Sequence, residues 1–396
     1  MKIGIYYPDW GTSSLDAYPV LVLAEILSET HTVEMIHHHS EFMPKIYEDF
    51  WHVDLSRVTS RPLPPVQRIN WDTWRPLRRL RLEYDSHQEI SAPYDFFLAA
   101  GSTPPVFSHA KKSVLWIPFP RVNFSTFYGH LDSSWSQQNF FQRFFRKRYQ
   151  KFEWRARFGS YQDFLCPSRF IKTCVKERWP VTARNISPPV PECIHPDEKY
   201  QEILTLGTIS SENRNRHDVI LACFKMLCDT HSALLKNWRL KIFADCDLSI
   251  SRNQEFLEML QDKSKDYPVD FHINPDAAAI QNAIRRAAFL WHARGYEAVQ
   301  QKTPEFVEYS PMLPLMCMGA ETIPLVFHAG SMAEVVHHFK DGFLWSTVQE
   351  LIMTTAEIIK NVDAIPVMRR QCIQSAKKYD RETFRQNITA ALKGIL

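Results

Sequence analysis

Glycine is scarce in this chain: 11 residues in 396, against 25 prolines. Phosphate sites in α/β proteins rely on glycine where backbone N–H groups must approach the ligand closely, and few are on offer here. Cysteine is present but unorganised. Its eight residues form no CxxC pair and no ligand-like spacing, so neither a zinc site nor a disulfide framework is supported. No apolar run approaches the length of a membrane span. The N-terminus lacks a basic segment followed by an apolar one, so a reducing cytoplasm is the expected setting, with any membrane contact peripheral at the inner face. Excess charge is missing too. A net +3 at pH 7 gives no footing for a nucleic-acid binder.

What is there is a long alternation of apolar strands and amphipathic helices. The chain exceeds what one ordinary core accommodates and suits two α/β domains. Lys2 to Pro8 reads as a buried strand, Ala17 to Leu27 carries helical apolar spacing, and Thr32 to Ile36 is a second strand. Strand, helix, strand is the opening of a doubly wound parallel sheet. Further strands are expected at Tyr94–Leu98, Ser113–Ile117 and Asp163–Cys166. The run Ser187-Pro188-Pro189-Val190-Pro191 then breaks the pattern, because proline stops both helices and ladders. Alternation resumes with strands at Ile203–Gly207, Leu240–Phe243, Val269–His272, Phe289–Trp291 and Leu325–Phe327. The division predicted is residues 1–195, residues 196–378, and a terminal helix over 379–396. Three consecutive histidines, His37 to His39, cannot share one face of a strand or helix, so they predict a polar loop rather than a metal site.

The most specific signal lies in Trp291-His292-Ala293-Arg294-Gly295-Tyr296, then Pro304-Glu305-Phe306-Val307-Glu308-Tyr309-Ser310, Gly319-Ala320-Glu321-Thr322-Ile323-Pro324, and Gly330-Ser331-Met332-Ala333-Glu334. Taken in order and without a gap, this segment resembles the donor-sugar-binding segment of retaining GT-B glycosyltransferases of family GT4. Weaker likenesses extend the resemblance over nearly the whole chain, among them Tyr161 to Phe170, Arg178-Trp179-Pro180 and Ser108 to Leu115. The resemblance implies two Rossmann-like domains facing across a cleft, and transfer of a sugar from a nucleotide-diphosphate sugar with retention of configuration. It implies no cofactor beyond that co-substrate and no metal, cationic side chains taking the metal's place. In the family the first Glu of a pair faces the donor sugar, and a second, eight positions on, accepts hydrogen bonds from the ribose. An Arg and a Lys neutralise the departing diphosphate, whose negative charge grows as the glycosidic bond breaks.

Several of those positions differ here. Glu308 is followed eight positions later by Met316, which would cost a ribose about 1.5 to 3 kcal/mol of charged hydrogen bonding. Gly207 is followed by Thr208 where the family has Arg, and the Lys position falls on Asn215, with Arg214 or Arg216 able to supply the charge from next door. The first loop, Gly11 to Asp16, offers Ser13 and Ser14 where the family has glycine; Ser13, Ser14 and Asp16 are the acceptor-side candidates. On this reading Glu308 and His292 are the catalytic candidates. Gly295, Tyr296, Arg214, Arg216, Ser310, Met316, Gly330, Ser331 and Glu334 line the donor site. Each has a plainer role open to it: Gly295 and Gly330 can simply turn the chain, Glu334 can cap a helix, and His292 can be a satisfied structural histidine.

Three functions stay open: an active transferase using a glycan, lipid-linked or small-molecule hydroxyl acceptor; a silent relative binding a glycan or a partner subunit; and an enzyme with a lipid phosphate sugar as donor. The segment 140–158 is rich in aromatics and cations and nearly free of acid. It suits a peripheral membrane contact, a partner surface, or a helix whose aromatics pack on the sheet while its arginines snorkel. Homo- and hetero-oligomers both remain open.

Overall fold

The computed structural model describes residues 1–8, 15–38, 51–64, 76–101, 103, 105–121, 140–191, 196–300 and 302–396, with the side chains of 76–79, 140–147, 149 and 150 excepted. Two units result. One comprises Met1–Pro189 with Glu382–Leu396, the other Val190–Arg381.

In the first unit the order is β1 (Lys2–Tyr6), α1 (Tyr18–Ser28), β2 (Thr32–His37), β3 (Val58–Pro62), α2 (Pro76–Ser91), β4 (Phe96–Ala100), β5 (Lys112–Trp116), α3 (Phe140–Gly159), β6 (Asp163–Cys166), α4 (Arg169–Arg178) and β7 (Arg184–Asn185). The strands form one parallel sheet ordered β3-β2-β1-β4-β5-β6-β7. Helices on both faces explain why β4 reads as an unbroken apolar run: all five of its residues are buried. Gly4 sits where β1 passes under Tyr94; a Cβ there would lie 2.6 Å from the ring.

The second unit continues with β8 (Tyr200–Thr208), α5 (His217–Thr230), β9 (Arg239–Asp245), α6 (Ser251–Ser264), β10 (Val269–Ile273), α7 (Ala277–Arg286), β11 (Ala287–His292), α8 (Met312–Gly319), β12 (Ile323–Phe327), α9 (Met332–Val335), β13 (Phe343–Trp345), α10 (Val348–Lys360) and α11 (Ala364–Ala376). Its six parallel strands are ordered β10-β9-β8-β11-β12-β13. Strand order therefore reverses between β8 and β11, the place where ligands gather at the carboxyl ends of open α/β sheets. Caps set the helix starts locally: Ser168 and Asp276 accept from the third residue beyond, and Thr347 with Glu350 makes a complete capping box.

A last helix, α12 (Arg381–Leu392), belongs with the first unit. Phe384 is buried against Trp116, with ring centroids 6.4 Å apart, and Arg385 grips Glu29 through two bonds of 2.5 and 2.6 Å.

The histidine run is not wholly a loop. His37 is the last residue of β2, buried, with Nε2 2.8 Å from Ser60 Oγ; His38 bonds Tyr6 and the Pro64 carbonyl, and His39 lies outside the described residues. The reason is β3, which the apolar pattern did not signal and which extends the pairing as far as His37 opposite Pro62. No helix of the described residues is long and apolar enough to cross a membrane.

On α3 the acid turns inward. Glu153 and Arg157 are both buried, joined at 3.1 and 2.8 Å, while Arg157 also pairs with Glu83, donates 3.0 Å to the Pro105 carbonyl and lies over the Phe107 ring. Removing one partner of such a pair strands the other charge. Arg157→Ala is expected to cost about 3 to 5 kcal/mol in urea unfolding, with much of it recovered by pairing Arg157→Met with Glu153→Leu.

Candidate functional site

β11 ends on His292, beside the reversal in strand order, and the two segments that fold back over this strand end carry the remaining groups. His292 Nε2 stands 3.2 Å from Glu308 Oε2, and both residues are buried. To bond a carboxylate, Nε2 must carry a proton. The other carboxylate oxygen accepts from the Ser310 N–H at 3.1 Å, and the Arg294 guanidinium reaches to 3.9 Å. Burial alone would push the Glu308 carboxyl up; Arg294, the His292 bond and the Ser310 N–H outweigh it and hold the group below the usual carboxylate range. The result is a buried carboxylate, its side chain only 12% exposed, that keeps its charge.

The backbone of Glu308 is as tightly held as its side chain. Its carbonyl accepts from the Ser331 N–H at 2.9 Å and the Ser331 hydroxyl at 3.3 Å. This close approach requires glycine at 330, whose φ is +63°; a Cβ there would run into that same carbonyl oxygen. Gly330 N–H in turn donates to Gln300 Oε1 at 2.9 Å. Gly295, at φ +100°, sits against Val307 and Ala329, so both loops press on the irregular segment that bears Glu308.

The structure thus brings together His292, Gly295, Glu308, Ser310, Gly330 and Ser331. Tyr296 faces elsewhere, packing on Phe327 and Trp345. Arg216 lies over the Tyr296 ring and binds the Tyr296 carbonyl at 3.0 Å, Glu297 at 2.9 Å and Asp218 at 3.3 Å. Arg214 bonds Glu212 at 2.6 Å and covers the Phe306 ring. Asn215 donates from Nδ2 to the Thr208 carbonyl at 3.0 Å, and the space a Cβ on Gly207 would occupy abuts this side chain. Met316 is buried within α8, and the Glu334 carbonyl in α9 accepts from the Tyr379 hydroxyl at 3.3 Å. Asp16, in the other unit, is half-buried ahead of α1; Ser13 and Ser14 lie outside the described residues.

Sequence reasoning passed over three residues. Arg294 is the cation nearest Glu308, and its place between a strand-terminal histidine and Gly295 was the available clue. Gln300 gave no signal. His217, the first residue of α5, is buried, and among the described residues neither ring nitrogen has a partner; burial, then the neighbouring His292, lowers its pKa to about 4. His292 Nδ1 is likewise buried without a partner among the described residues. Among the described residues no group of three His, Cys, Asp or Glu is placed to hold a metal ion.

Comparison with known proteins adds to this geometry. No family model matches the chain, and no curated protein matches it. Solved structures do. A glycosyltransferase from Rickettsia africae ESF-5 aligns over 100% of this chain and 98% of its own at TM-score 0.67 and 11% identity. Anabaena Alr3699/HepE in complex with UDP aligns over 100% of both chains at TM-score 0.67 and 10% identity. WaaG, a glycosyltransferase involved in lipopolysaccharide biosynthesis, aligns over 99% of this chain and 100% of its own at TM-score 0.61 and 14% identity.

The fold is GT-B. Within the GT-B framework the buried cluster occupies the second of the two parallel-sheet units, at the carboxyl end of β11.

Two outcomes follow from this packing. Gly330→Ala, which adds both a clash and a left-handed alanine, is expected to lose about 2 to 4 kcal/mol in urea unfolding. For His217 the unfolded ring takes a proton near pH 6.5 and the folded ring only near 4, so its contribution is complete above pH 6.5 and lost as pH falls toward 4. Wild type should lose about 3 kcal/mol more than His217→Leu between pH 7 and pH 4, read by urea unfolding at each pH.

Proposed function

We propose that this chain transfers a sugar from a nucleotide-diphosphate sugar to a hydroxyl of a glycan, lipid-linked or small-molecule acceptor, with retention at the anomeric carbon and without a metal ion. The observation that carries the reading is Glu308: a buried carboxylate kept ionised at the point where strand order reverses. A GT-B fold shared with glycosyltransferases, one of them in complex with UDP, supports the same reaction class as an argument from likeness.

Each group then takes a role. The Glu308 carboxylate accepts hydrogen bonds from donor-sugar hydroxyls and faces the positive charge that grows at the anomeric carbon. His292, bonded to it through Nε2, fixes its rotamer. Arg294 limits the cost of burying the carboxylate, and Gly295, Ser310, Gly330 and Ser331 hold the loops that position it. Arg214 and Arg216 are the cations available to the leaving diphosphate, Arg216 by exchanging exposed Glu297 for phosphate oxygens.

A second reading has its own support. Met316 gives the ribose no carboxylate, and both arginines already hold acidic partners, as expected of a GT-B relative that binds a glycan or a partner subunit without turning over a donor.

Thermal-shift titration with a panel of nucleotide diphosphates and their sugars separates the two. The transferase reading expects stabilisation by one nucleotide, weakened tenfold or more in Arg214→Ala/Arg216→Ala, and donor turnover reduced roughly 10²- to 10³-fold in Glu308→Gln with nucleotide binding retained. Silence of the folded wild type across the whole panel would sink it.

A further inference from the structure

The first unit carries a face whose composition matches no role at the site above. Helices α3 and α4 join β5 to β6 and β6 to β7, successive neighbours in the sheet, so right-handed crossovers place both helices side by side on one face. Their inner sides meet around Trp179, 5.9 Å from Trp154 and 5.2 Å from Phe158 between ring centroids. On α3 the side chains turned outward beyond that seam are Arg148, Lys151, Phe152 and Arg155, spaced by three and four residues and therefore one stripe. Phe152 stands 59% exposed among the three cations. The acid of this stretch, Glu153, is buried with Arg157 and screens none of them. On α4, Lys172 and Lys176 are exposed one turn apart, with Glu177 the acid beside them.

An exposed aromatic ring amid cations is the combination that inserts into a lipid interface while the charges meet anionic headgroups. We propose that the α3–α4 face docks on an anionic membrane surface, with Phe152 entering the interfacial layer and Arg148, Lys151, Arg155, Lys172 and Lys176 held over it by headgroup charge. This proposal stands apart from the transfer reading: vesicle binding is measured with neither donor nor acceptor, so either can fail alone.

The test is co-sedimentation of the full chain with vesicles of phosphatidylcholine alone and of equimolar phosphatidylcholine and phosphatidylglycerol, at low and high salt. Wild type is expected to bind the anionic vesicles, to ignore the neutral ones, and to be released by salt. Lys151→Glu/Arg155→Glu should lower partitioning at least about tenfold. Phe152→Ala should lower it several-fold while leaving the salt dependence in place. All these side chains are exposed, so thermal unfolding should match wild type and exclude misfolding. The control Lys340→Glu/Lys360→Glu, on exposed positions of the other unit, makes the same change in net charge and should bind as wild type does. Equal loss in that control, indifference to both α3 variants, or no binding to anionic vesicles overturns the proposal. So does binding to an RNA oligonucleotide or a sulfated glycan, lost in the α3 variants, by a protein that ignores vesicles.

Discussion

A carboxylate can stay ionised inside a protein only where its surroundings replace the water it has lost, and the second unit is arranged to do so for Glu308. One oxygen meets His292 and the other a backbone N–H, with a guanidinium alongside; the residue's own carbonyl is clamped by Ser331. These contacts come from the end of β11 and from the connections that follow β11 and β12 in the same sheet. Gly295, Gly330 and the entry into α9 all pack on the segment that carries that one charge.

The fold was legible because its information is local. Buried parallel strands read as short apolar runs, and β6 was found to the residue, while β1, β4, β5 and β8 were found within a few. β3 escaped because Val58-Thr-Ser-Arg-Pro62 is an edge strand with mostly exposed side chains, lacking the apolar run that marks the interior ones. Its omission carried over to His37, which looked like loop only because the partner strand was missing from the picture. A doubly wound sheet reverses its strand order somewhere, but the alternation does not say that the reversal falls between β8 and β11.

Far less of the site was legible. Motif spacing put Glu308 and His292 on the page but could not say that they touch, nor that Arg294 would be the cation beside them. Gln300 and His217 carry no pattern at all. Their parts arise when loops distant along the chain close over one strand end, and such closure leaves no periodicity to read. Arg214 and Arg216 illustrate the converse: charge on the sequence reads as available, whereas Glu212, Asp218 and Glu297 already share it.

The return of the chain to its starting unit has a consequence for synthesis. Val190–Arg381 is one unbroken stretch, able to collapse on its own core as soon as it clears the ribosome. The unit made first has no such freedom, since Trp116 and Glu29 wait for Phe384 and Arg385, which are translated hundreds of residues later. The patch of its surface around Trp116 and Glu29 stays uncovered for that interval, so this unit completes its packing only after the other has been made.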